Sequence, residues 1–202
     1  MKTWIFDSQF VGSISYYKLL SQAKNILIDH GEHFVKSTNR NRAKLPGPNN
    51  VLLLSVPLKN GKHQRKAMKD IQISYDHPWQ KLHWKTLCAC YQSSPYFEFY
   101  EAELKNILDS KHNKLIELNK EILDWVMEKI QLELKIEYTN DYILPVEPHI
   151  LDLRSSRKES YSGFNLSYTP YIQVFEDRLG FQADMSILDL LFNEGPNTIS
   201  FL

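Results

Sequence analysis

Two short apolar runs separated by a single helical stretch constrain this chain more than any other feature. Trp4-Ile5-Phe6 reads as a strand, Ser13 is placed to cap a helix carrying Ile14, Tyr17, Leu20 and Ala23, and Asn25-Ile26-Leu27-Ile28-Asp29 reads as a second strand. Strand, helix and strand within about thirty residues form a βαβ unit, which makes the two strands parallel and the crossover right-handed. The expected fold class is therefore α/β: a small, mainly parallel sheet with a βαβ start, a hairpin and several packed helices.

The hairpin is expected where the strand Asn39-Arg40-Asn41-Arg42-Ala43-Lys44-Leu45 meets the breaker cluster Pro46-Gly47-Pro48-Asn49-Asn50 and then Val51-Leu52-Leu53-Leu54-Ser55-Val56. The unbroken apolar run from Val51 to Val56 implies burial on both faces, with Pro57 ending the ladder. Lys59 to Lys69 is basic, lacks an apolar period and reads as a loop. Three helices are expected next. One carries Trp79, Leu82, His83, Thr86, Leu87 and Cys90, another Phe97, Tyr100, Leu104 and Ile107, and the third runs from Lys114 to Ile130. Leu134 to Tyr138 alternates like a strand, and Asn140 to Thr169 has no period and reads as irregular. A last helix, Met185 to Asn193, has Asp184 as its expected N-cap and Gly195-Pro196 as its stop.

At 202 residues, with no Gly/Ser-rich or charged run dividing two apolar halves, the chain is expected to form one domain over 1–202. Lys+Arg and Asp+Glu balance at 24 each, so no overall field would attract a polyanion, and nucleic acid is not an expected partner. The N-terminal apolar stretch is too short for a signal peptide, and no apolar run has the length of a membrane span. A cytoplasmic protein that does not insert into membranes is expected. The two cysteines, Cys88 and Cys90, would lie about 200° apart on a helix and could not bridge. As a C-x-C pair they could give two metal ligands, but no further Cys or spaced His pair completes a site, so no metal is expected and no cofactor is implied.

The chain contains no G-x-G-x-x-G, P-loop, G-x-S-x-G, H-E-x-x-H or C-x-x-C motif, which removes most support for nucleotide-fold oxidoreductases, P-loop enzymes and α/β-hydrolases. Arg40 and Arg42, two apart in an expected strand, would project from one face and could hold a carboxylate or phosphate, with Asn39 and Asn41 on the other; surface ion pairs are the plainer alternative. His83 falls on the apolar side of its helix, where a half-buried imidazole could act as a general base or could be a core histidine bonded to a backbone carbonyl. Asp29, Glu32 and His33 follow a strand, at the end of the sheet where ligands collect in α/β folds, and such a group could bind a divalent metal; Gly31 inside it and the lack of a helical register favour an ordinary turn. The last helix is apolar nearly all round, with Ser186, Asp189 and Asn193 as its polar stripe. Asp189, if buried, needs a partner, for which Arg40 or Arg42 is the candidate.

Several short stretches lie in order along nearly the whole chain: Ser15-Tyr16-Tyr17, Lys36 with Arg40-Asn41-Arg42, Leu54 to Leu58, Ile73-Ser74-Tyr75-Asp76 with Trp79, His83-Trp84-Lys85, Ser94 to Tyr100, Tyr171 to Phe175, and Met185 to Pro196. In this order they resemble the WbqC-like family in its short, Bacteroidetes-type form. Phe10 and Lys85 depart from the Tyr and Arg of that family's pattern. The resemblance implies a link to O-antigen, capsule or related glycan assembly. Taken with the arginine pair and His83, the leading reading is a transferase that moves an acyl, aminoacyl or related group onto a sugar nucleotide or amino sugar. His83 would then be the catalytic base, Arg40, Arg42, Asn41, Tyr16, Asp29 and Trp84 would bind substrate, and Asp189 and Asn193 would support them. The expected partner is a small-molecule sugar or acyl donor, and a homodimer is left open. The alternative is a non-catalytic binding or assembly protein that uses Arg40-Asn41-Arg42 and Tyr96 to Tyr100 as a partner surface.

Overall fold

The computed structural model describes residues 2–60, 65–144, 149–154, 161, 164 and 166–202. The opening βαβ unit forms as expected. β1 (Thr3–Asp7) and β2 (Asn25–Asp29) pair in parallel with Thr3 opposite Asn25 and Asp7 opposite Asp29, and α1 (Ile14–Gln22) connects them. The chain then leaves the sheet for a hairpin, β3 (Arg42–Pro46) and β4 (Val51–Ser55), and for three helices, α2 (Trp79–Tyr91), α3 (Phe97–Asp109) and α4 (Leu115–Lys129). It returns through β5 (Ile136–Thr139) and β6 (Ile150–Asp152), which complete a four-stranded parallel sheet in the order β5-β2-β1-β6. The direction of strand addition reverses between β1 and β6. In open α/β sheets such a reversal places a crevice at the carboxyl ends of the strands.

The α4 stripe of Leu115, Leu118, Ile122 and Val126 is fully buried, as its period of 3.6 requires. The α2 stripe departs from expectation at Leu82, which is 65% exposed, and at Thr86, which is only half-buried, while Trp79, His83, Leu87 and Cys90 face the core. The hairpin departs further. Val51 and Leu53 are exposed, Leu53 to 50%, so this apolar run is not covered on both faces. β4 belongs to a separate two-stranded antiparallel ribbon, and such ribbons commonly cover one face only. Two stretches expected to be irregular contain regular structure. β6 lies inside 140–169, and within the basic segment a 3-10 turn forms at Met68–Asp70 while Ala67 bridges to His33. Within those stretches, 61–64, 145–148, 155–160, 162–163 and 165 lie outside the described residues.

After a short α5 (Glu176–Leu179), the closing helix α6 (Ile187–Glu194) is buried from Ile187 to Asn193 and ties three elements together. Ser186 N–H donates to Lys44 O (2.9 Å), Ile187 N–H to Gly12 O (3.0 Å), and Tyr96 N–H to Phe192 O (3.0 Å). Its N-cap is Ser186, not the expected Asp184. Asp184 instead serves the first helix: its Oδ1 accepts from Ser15 N–H (2.9 Å) and Ser15 Oγ (2.6 Å), while Ser13 Oγ receives only a long bond (3.4 Å) from Tyr16 N–H. Among the described residues no helix is long and apolar enough to cross a membrane.

Candidate functional site

β1, β2 and β6 each end in an aspartate, so the parallel register brings Asp7, Asp29 and Asp152 to one edge of the sheet. Buried carboxylates this close need cations. Arg154 supplies one, bonding Asp29 Oδ2 through Nη1 (2.5 Å) and Asp152 through Nε (2.9 Å) and Nη2 (2.7 Å), with its guanidinium 4.7 Å from the Tyr142 ring centre. Asp29 Oδ1 also accepts from the Gly31 N–H (2.8 Å) and Glu32 N–H (3.1 Å), which shapes the turn after β2.

Arg40 supplies the second cation. It is wholly buried, forms a bidentate pair with Glu32 (Nε to Oε1 2.8 Å, Nη2 to Oε2 2.7 Å), and reaches Asp7 Oδ2 through Nη1 at 3.2 Å. Arg40 therefore does not share a strand face with Arg42. It sits in the turn before β3, which starts at Arg42, because the two carboxylates behind that turn pull its side chain inward. Burial pushes the Glu32 carboxyl up to about 7 against the opposing pull of Arg40. Tyr16 is also buried here, its hydroxyl donating to Asp7 O (3.1 Å) and held well above the ordinary phenol range by burial and by Asp7. His33 is exposed, and among the described residues no cluster of His, Cys, Asp and Glu could hold a metal ion.

One residue further along the backbone, the chemistry turns outward. A cavity of about 220 Å³ opens at the base of the hairpin, lined by Phe34, Lys36, Ser37, Asn41, Arg42, Ser55, Val56, Pro57 and Leu58. Its charged lining residues are both cationic, Lys36 and Arg42, and its floor is apolar. Arg42 and Ser55 oppose each other in the β3–β4 register, so the ribbon fixes the position of the arginine. Asn41 is locked by both backbone groups of Val56: Val56 N–H donates to Asn41 O (2.9 Å) and Asn41 Nδ2 donates to Val56 O (3.0 Å). Two buried polar atoms of these residues, Asn41 Oδ1 and Arg42 Nε, have no hydrogen-bond partner among the described residues. At the rim Ser37 adopts a left-handed backbone (φ 63°), a conformation uncommon for a non-glycine residue. A larger, more open groove of about 740 Å³ at the end of α4 gathers none of the candidate residues.

His83 lies one layer behind this cavity. Its Nε2 accepts from the Ser55 N–H (3.2 Å), and its ring stands edge-on to Trp79 at 5.0 Å and 6.0 Å from Phe10. The sequence-based alternative of a core histidine bonded to a backbone carbonyl is corrected in kind, because the imidazole accepts a backbone N–H instead. Burial lowers its pKa to about 4, so the ring is neutral. Trp84 does not face the cavity; it stacks on Phe97 (5.8 Å, 25°) and joins α2 to α3.

Asp189 meets neither arginine. Its fully buried carboxylate accepts from Tyr91 Oη (3.0 Å), Tyr171 Oη (2.5 Å) and Gln173 Nε2 (2.6 Å), and Asn193 Nδ2 returns to Asp189 O (2.7 Å). Neutral donors suffice because three converge on it, and burial still raises its pKa. Of the residues selected from sequence, the structure brings Asn41 and Arg42 into one cavity and places His83 against its wall. It moves Arg40, Asp29 and Tyr16 into the sheet-end network, and Trp84, Asp189 and Asn193 into packing. Lys36, Ser55 and the Phe34, Pro57 and Leu58 walls were not chosen, since only tertiary folding assembles them. An aspartate closing each of β1 and β2 was a readable sign of the sheet-end network.

The fold and this cavity define an α/β protein with a parallel sheet, a row of carboxylates at the strand ends bridged by two arginines, and a cationic pocket beside them. The chain belongs to the WbqC-like protein family, whose profile matches residues 8–161. That span contains the whole cavity and His83 but not Asp189 or Asn193. The chain is also similar to "Uncharacterized protein Rv1507c" of Mycobacterium tuberculosis (strain ATCC 25618 / H37Rv), with 23% identity over 233 residues, covering 100% of this chain and 97% of that protein. No solved structure matches the chain.

Proposed function

We propose that this protein is a transferase of surface-polysaccharide biosynthesis that holds the anionic part of a sugar nucleotide or a phosphorylated amino sugar in the Arg42 cavity. The observation that carries the reading is the pairing of Lys36 and Arg42 over an apolar floor with no carboxylate in the lining. The transferred group is an acyl or aminoacyl unit. An amine or hydroxyl of the sugar attacks its carbonyl carbon, the bond to the donor's leaving group breaks with the electron pair leaving on that group, and the proton lost by the amine or hydroxyl passes to that leaving group or to solvent. His83 is assigned a positioning role: its Nε2 lone pair is committed to the Ser55 N–H, and service as a base at that nitrogen requires the bond to break.

That commitment favours a second reading, in which the same pocket binds its ligand without chemistry as part of an assembly. Incubation with a panel of sugar nucleotides and phosphorylated amino sugars plus acyl and aminoacyl donors, followed by mass spectrometry, separates the two. A product whose mass increases by the transferred group, and whose formation is lost in Arg42→Ala, supports the transferase. Saturable binding lost in Arg42→Ala, with no product from any pair, supports the binding protein.

A further inference from the structure

The chain is neutral overall, but its charge is unevenly placed. From His33 to Lys69 it carries nine Lys and Arg and no Asp or Glu, and α2 adds Lys81 and Lys85, again without an acid. Arg40 of this set is held in the sheet-end network, whereas Lys36, Lys44, Lys59, Arg65 and Lys66 are exposed. The fold gathers several of them about one mouth. Lys36 and Arg42 line the cavity, Lys59 follows its wall residue Leu58, and Lys66 O accepts from the N–H of its wall residue Phe34 (2.9 Å). The carboxylate that shares a recess with Arg42 and Lys44 is Asp184, whose Oδ1 is occupied by Ser15 N–H and Oγ.

The ribbon continues this cationic mouth into an apolar strip. Directly opposed residues of an antiparallel pair point to the same side, and side chains alternate along each strand. The Arg42 and Ser55 pair at the cavity is therefore followed on the same face by Lys44 with Leu53 and then by Pro46 with Val51. Ala43, Leu45 and Leu54, on the opposite face, are buried, so Leu53 and Val51 turn to solvent, 50% and 39% exposed. We propose that this ribbon face docks the protein on an anionic lipid bilayer. Leu53 and Val51 enter the boundary between headgroups and acyl chains, Lys44 and the cations at the cavity mouth meet lipid phosphates, and no element crosses the membrane. Exposed aliphatic side chains bordered by lysines suit a shallow interfacial contact, in which apolar burial and attraction to anionic lipids add. A single-stranded nucleic acid would call for aromatic side chains to stack its bases, and the ribbon from Arg42 to Ser55 has none. The inference goes beyond the transferase reading and requires no ligand in the cavity.

Sedimentation of the full chain with vesicles tests it. The protein is expected to pellet with an equal mixture of phosphatidylcholine and phosphatidylglycerol, to stay in solution with phosphatidylcholine alone, and to be released as salt is raised. Lys44→Ala should weaken binding to the mixed vesicles about fivefold, the share of one lysine near an anionic surface. The double variant Val51→Ser, Leu53→Ser alters only exposed side chains and should weaken it by a similar factor or more. No binding to the mixed vesicles, or binding that either variant leaves unchanged, overturns the proposal. Duplex DNA at the same phosphate concentration and salt is expected to bind more weakly than the mixed vesicles; equal binding would make the face a general polyanion surface and overturn the lipid assignment.

Discussion

Arg40 lies wholly buried between Asp7 and Glu32, while Arg42, two residues on, lines an open cavity; substitution should therefore separate stability from binding. Arg40→Ala leaves two buried carboxylates without their cation and is expected to lower the unfolding free energy by about 3–5 kcal/mol in a urea titration. Arg42→Ala, at a half-buried position without an ion pair among the described residues, is expected to change it by about 0.5 kcal/mol or less. Equal losses in the two variants would contradict the division. His83 gives a pH signature. Its folded pKa of about 4 lies below the ordinary 6.5, so the unfolded chain binds a proton that the folded chain refuses. The corresponding stability is complete above about pH 6.5 and is lost as pH falls toward 4. His30, lowered to about 4 by burial and by Lys120, acts in the same direction, while Glu32, raised to about 7, loses stability as pH rises through that value. Comparison with His83→Gln isolates the one group: the wild-type protein should lose about 2–3 kcal/mol more than the variant between pH 7 and 4.5. Parallel pH curves would refute the assignment.

At the scale of elements, the periodic segments were legible and the boundary contacts were not. β2 and the α4 stripe follow directly from residues 25–29 and from the spacing of Leu115 to Val126, because burial of one face imposes its period on the sequence. β6 was hidden: three residues cannot establish a period, and the segment becomes a strand only because β1 has an open edge for it. The cap at Asp184 was assigned to the wrong helix for a related reason, since its partner Ser15 is distant in sequence. The end of α6 was readable and carries a test. Gly195 has φ 56°, ψ −132°, and an added Cβ would fall 2.4 Å from the Tyr96 ring. Gly195→Ala is therefore expected to cost about 1–3 kcal/mol, from the strained backbone and the displaced ring. Thermal unfolding measures it, and an unchanged melting temperature would mean that the α6 to α3 junction is looser than this packing implies.

At the scale of the molecule, strand order does what no local pattern announces. Placing β6 beside β1 delivers Asp152 to Asp29 by way of Arg154, and the excursion between β2 and β5 delivers Arg40 to Asp7 and Glu32. The sequence indicated that arginines and carboxylates of this region matter, yet it paired Asp189 with the wrong partners, because Tyr91, Tyr171 and Gln173 approach it from three separate segments. The sheet-end network fixes the 36–42 turn from behind, and the hairpin fixes it from the side, so the cavity stands on a rigid base with the half-buried Arg42 in its lining. Differential scanning calorimetry of the wild-type protein and Arg42→Ala, each with and without saturating N-acetylglucosamine 1-phosphate, tests that arrangement most directly. A ligand at a hundredfold its dissociation constant stabilises the native state by about 2.7 kcal/mol, a rise of about 5–10 °C for a chain of this size. The expected result is that rise in the wild-type protein, an unchanged melting temperature for unliganded Arg42→Ala, and no rise when the ligand is added to the variant; an equal rise in both proteins would contradict the role of Arg42.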